Sequence, residues 1–110
     1  MNEKEQIAEK VLELLGEPEK WKFRPNNDSG LEWNTLVNSN GLVLFWERSL
    51  RFESAEYSYK IVLKLKGFKH VFLSGEFDIV EKIVEKAENL WIFKYEKERE
   101  EIFKETLKLV

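Results

Sequence analysis

Between Leu31 and Lys66, apolar and polar residues alternate in three runs separated by clusters of turn-forming residues. Only extended chain satisfies a period of two, because successive side chains of a strand point to opposite faces. The first run sets Leu31, Trp33, Thr35 and Val37 against Glu32, Asn34, Leu36 and Asn38. The second sets Leu42, Leu44, Trp46, Leu50 and Phe52 against Val43, Phe45, Glu47, Ser49, Arg51 and Glu53. The third sets Tyr57, Tyr59, Ile61, Leu63 and Leu65 against Ser58, Lys60, Val62, Lys64 and Lys66. Asn40-Gly41 between the first two runs suits the positive-φ positions of a tight hairpin turn. The centre of the fold is therefore an antiparallel meander.

Directly opposed residues of an antiparallel pair share a face, and a slip of one residue inverts a strand. Closing the first hairpin at Val37/Leu42, or at Ser39/Leu42, puts Trp33 and Val37 on the core face with Leu42, Leu44 and Trp46. Closing the second at Glu53/Glu56 puts Leu50 and Phe52 beside Tyr57 and Tyr59. Trp21 and Phe23 alternate with Lys22 and Arg24 in a shorter run that ends at Pro25. Lys69 to Leu73 forms a further strand after Gly67-Phe68. A two-residue turn there sends His70 and Phe72 inward, and a three-residue turn sends Val71 and Leu73.

Helices flank the sheet. Asn2 with Glu5 three residues on reads as a capping box. Ile7, Ala8, Val11, Leu12, Leu14 and Leu15 follow at helical spacing, and Gly16 with Pro18 ends the helix. After Ser74-Gly75, with Ser74 as candidate N-cap, Phe77, Val80, Ile83, Val84, Ala87, Leu90 and Trp91 repeat the period. No Gly or Pro interrupts residues 76–110. Helix throughout is favoured over an edge strand at 91–95, with Asn89 the place for a bend or stop. Ile102, Phe103, Leu107 and Val110 form a second apolar stripe. The expected architecture is α+β over one domain, 1–110: an N-terminal helix, an antiparallel sheet of four or five strands, and one or two C-terminal helices.

Composition bounds the chemistry. With no Cys there are no disulfides, thiolate metal sites or Cys nucleophile, and one His with two Asp gives little for metal ligation. His70, alone among aromatics and aliphatics, reads as structural or exposed. Glu47 and Glu53 could meet in a cleft, but their spacing carries no specificity. No Gly-rich phosphate loop is present, and Glu76 and Asp78 sit where an anion would have to approach the helix start. The expectation is a non-enzymatic protein with neither cofactor nor metal. The charged N-terminus has no signal-peptide character and no apolar run approaches a membrane span, so a cytoplasmic protein is expected. Glu and Lys dominate the charged set (19 Glu, 14 Lys), a bias that hyperthermophile proteins share; seven Asn oppose that reading.

Two interaction surfaces follow. On the outer sheet face Leu36, Val43, Phe45 and Val62 would form an apolar patch that wants covering. Either the stripe of Ile102, Phe103, Leu107 and Val110 folds back over it, or another protein, a second copy or a target, covers what is left. The leading expectation is a small regulator or inhibitor acting through protein contact. The alternative is single-stranded nucleic-acid binding by Lys60, Lys64 and Lys66, with Arg51, Lys69, Lys22 and Arg24 nearby. The formal net charge of −3 and the pI of about 5.4 argue against a dedicated nucleic-acid binder. Yet residues 21–75 alone carry eight Lys and Arg against five acids.

Overall fold

The computed structural model describes residues 2–24, 34–76 and 78–110. Helix α1 (Glu3–Leu14) is followed by a short 3-10 turn (Pro18–Lys20) and strands β1 (Trp21–Arg24), β2 (Asn34–Asn38), β3 (Val43–Arg51), β4 (Glu56–Leu65) and β5 (Phe68–Leu73). Helix α2 (Ile79–Leu109) closes the chain. The strands form one antiparallel sheet in sequence order, β1-β2-β3-β4-β5. The arrangement is α+β, with five strands and a single, uninterrupted C-terminal helix that includes residues 91–95.

Both helices lie on one face of the sheet. In α1 the cap operates as the sequence implies: the Asn2 Oδ1 accepts the Glu5 N–H at 2.8 Å. Ala8, Val11 and Leu15 turn inward, and the Trp21 indole N–H donates to the Leu14 carbonyl at 2.9 Å, tying β1 to the end of α1. At the other end of α1, Lys4 reaches across Phe72 of β5 to Glu76. In α2, Val80, Ile83, Val84, Ala87 and Leu90 are buried, and Trp91 packs edge-on to Phe23 of β1 at 5.0 Å. The two helices thus start together beside β5 and cross the sheet towards β1. Against them the sheet contributes Trp21, Leu36, Leu44, Trp46, Ile61, Leu63 and Phe72.

The turns set this register. The loop between β2 and β3 has three residues, because Asn38 pairs with Leu42 through its backbone N–H. Gly41 holds φ +84°, as the last residue of such a loop must. Leu36 therefore lies opposite Leu44, and Val37 opposite Val43. This corrects the hairpin closure inferred from sequence: Leu36 is core, fully buried, and Val37 takes the outer-face place assigned to it. Trp33, its expected core companion, lies outside the described residues.

The β3–β4 turn keeps the expected parity, and the β4–β5 turn, which the sequence left open, is decided by its length. Arg51 pairs with Glu56 and Leu50 with Tyr57 around a four-residue turn that holds Phe52. Between β4 and β5 the turn is Lys66-Gly67, both at positive φ (50° and 86°), which is the two-residue type. Phe72 accordingly points to the core, while Val71 and Leu73 face outward. Ser74 does not cap α2. Its Oγ accepts the Tyr59 N–H at 3.0 Å and its own N–H donates to the Tyr59 carbonyl at 2.9 Å, extending the sheet by one rung. Asp78 stands at the helix start instead, making no side-chain capping bond.

Candidate interaction surfaces

The sheet face away from the helices carries Lys22 and Arg24 on β1, Thr35 and Val37 on β2, and Val43, Phe45, Glu47 and Ser49 on β3. It continues with Glu56, Ser58, Lys60, Val62 and Lys64 on β4, and Lys69, Val71 and Leu73 on β5. Among the described residues no helix packs on this face. The expected apolar patch survives in altered form. Leu36 is absent from it, Val62 is only 8% exposed, and Val43 and Phe45 are half-buried. Open apolar surface lies instead towards β5, at Val71 and Leu73.

The lysines are arranged differently from the sequence expectation in one respect. Lys60 and Lys64 share the outer face, but Lys66 sits in the β4–β5 turn, where its positive φ takes it out of the alternation. Lys69 joins them, directly opposite Lys64. Lys64 lies over the Phe45 ring at 5.7 Å from its centroid. Arg51 occupies the end of β3 opposite Glu56.

The second surface is the distal part of α2. Burial in this helix ends at Leu90, with Trp91 and Lys94 half-buried, and every residue from Tyr95 on is exposed. Phe103 and Leu107 are each 62% exposed, and Leu109 and Val110 more so. The stripe therefore does not fold back over the outer face. At 3.6 residues per turn, Ile102, Phe103, Leu107, Leu109 and Val110 centre on a direction rotated by roughly 120° from the buried side of Val80 to Trp91. The distal stripe thus continues sideways and not towards the sheet. Its opposite side holds Lys97, Glu98, Glu101, Lys104, Glu105 and Lys108. Phe23, Trp91 and Tyr95 form an aromatic cluster where the arm leaves the body, the latter two rings stacked at 5.2 Å.

A third region departs from the sequence expectation, which put Leu50 and Phe52 with Tyr57 and Tyr59 on the core face: Phe52 is 92% exposed in its turn. The β3–β4 hairpin runs beyond β5 and beyond the described residues of β2, and on its helix-side face Leu50 and Tyr57 are 44% and 55% exposed. Arg48 closes its base, donating to Glu88 of α2 at 2.6 Å and lying over the rings of Tyr57 and Tyr59. Its reach past β5 depends on hairpin length relative to that strand, which alternation alone does not fix.

The residues weighed for catalysis are not brought together. His70 is exposed on the helix-side face opposite Leu63. Glu47 lies in the ladder opposite Lys60, whereas Glu53 is in the exposed turn. Among the described residues no group of three or more His, Cys, Asp or Glu could hold a metal ion, and no described helix is long and apolar enough to cross a membrane. Glu76 is held below the ordinary carboxylate range by its bond to Lys4 first, and then by the Leu73 N–H. That clasp joins α1 to the start of α2. The indole N–H groups of Trp46 and Trp91 are buried without an acceptor among the described residues. The chain matches no family model, no curated protein and no solved structure.

Proposed function

We propose that this protein is a non-catalytic protein-interaction module of the cytoplasm, a regulator or inhibitor, whose contact element is the distal arm of α2. One observation carries the reading: an amphipathic helical segment leaves the body with Ile102, Phe103, Leu107, Leu109 and Val110 all exposed on one side. An isolated helix of this length is marginal in water, and most helical stability comes from covering an apolar face. A partner surface supplies that cover. Amphipathic helices seat such anchors, spaced at i, i+1, i+5, i+7 and i+8 here, in apolar grooves or against other helices.

The reading is tested first on the chain itself. Sedimentation velocity over a wide concentration range compares the wild type with Phe103→Glu/Leu107→Glu. The wild type is expected to self-associate and the double variant to remain monomeric with an unchanged circular-dichroism melt. A wild type that stays monomeric up to its solubility limit removes the homodimer form of the proposal. Loss of fold in the double variant would show that the arm belongs to the core and remove the proposal altogether.

A further inference from the structure

We propose that the outer face of the sheet binds single-stranded nucleic acid, through Lys22, Arg24, Lys60, Lys64 and Lys69 set around Phe45. The register brings these cations from three strands to one face, and all five are exposed. The same face holds two described carboxylates, Glu47 and Glu56. The remaining 13 cations and 19 carboxylates of the sequence leave the rest of the chain at −6. The acidic overall balance therefore conceals a segregated basic surface, and it is the local field that attracts a polyanion.

Lys64 stands directly opposite Lys69. Like charges in that relation destabilise a sheet, and an anion seated between them turns the repulsion into attraction. Along each strand, same-face side chains recur at about 6.7 Å, and strands lie about 4.8 Å apart, so the cations form a track across the face and not a point site. Between the two ends of that track lie Val37, Val43 and Phe45, each half-buried. An apolar, aromatic centre suits the π-faces of unpaired bases, which a duplex keeps stacked inside. An acidic peptide would engage the lysines but leave this centre without a use. The proposal is independent of the distal arm, which belongs to a different surface.

The test is fluorescence anisotropy of a labelled oligothymidine, with a duplex of equal length and unlabelled polyglutamate as competitors. Binding is expected to weaken about a hundredfold between about 50 and 200 mM salt, as release of counterions by five cations requires. Lys64→Glu/Lys69→Glu is expected to lose at least about tenfold in affinity with its melt unchanged, and Phe45→Leu to lose single-strand preference. Phe103→Glu/Leu107→Glu is expected to bind like the wild type. Absence of binding at the lower salt overturns the proposal, as does wild-type affinity in the lysine variant. Equal competition by duplex, or by polyglutamate, overturns it too, the latter assigning the face to an acidic protein surface.

Discussion

Asn38 is buried at the end of β2, and its Oδ1 accepts the N–H groups of both Asn40 and Leu42, at 3.0 and 2.9 Å. The side chain thereby satisfies two backbone donors of the loop and steadies a three-residue connection. An odd loop in place of an even one exchanges the faces of the entire strand, which is why Leu36 is interior and its neighbour Val37 is not. Truncation measures this directly. Leu36→Ala is expected to cost about 2–5 kcal/mol, and Val37→Ala about 1 kcal/mol or less, in urea unfolding. Comparable losses, or a reversed order, would mean that the strand sits one residue away. Alternation in the sequence showed that β2 and β3 are strands and pair. It put Val37 inside and Leu36 outside, the reverse of the structure, because both are apolar and the choice rests on one carboxamide folding back on its own loop. The same ambiguity between Phe72 and Val71 was resolved by the left-handed pair Lys66-Gly67.

At the scale of elements, α2 is two segments with one backbone. From Val80 to Trp91 its apolar residues serve the core; from Glu96 on they serve nothing within the described residues. The anchored half supplies the helical nucleus, so the distal half extends without paying for nucleation. Deleting residues 97–110 should therefore leave the body intact, with the melting temperature of dilute protein moving by less than about 3 °C. A larger fall would show that the arm packs on the body. The sequence made the helix and its continuity legible, since no Gly or Pro interrupts it and Trp91 to Tyr95 keep the period. It also held the signal that the stripe could not cover the same chain's sheet: the rotation between the two apolar sides follows from residue numbers alone. The start of α2 was less legible, because Ser74 has two uses, cap or sheet rung. Its partner Tyr59 is brought near only by the β4–β5 pairing.

For the whole molecule, these segments make an elongated body, 54 × 37 × 24 Å along its principal axes, with a Cα radius of gyration of 15.6 Å. A compact chain of this length would have about 13 Å. The excess is the arm, whose residues from Glu96 to Leu109 run about 20 Å at the helical rise. Shape then becomes a test of where function can lie. An arm folded onto the outer face would bury both the distal stripe and the lysine track, leaving neither for a partner. An extended arm keeps two surfaces apart, one apolar and helical, the other basic and flat. Small-angle scattering of the monomer separates these states. The full chain is expected near the extended value, and the chain lacking residues 97–110 near about 12.5 Å. A full-length value already close to 13 Å would place the arm back on the body in solution. Both proposed surfaces would then have to compete with it, and binding at either would be released by the same truncation.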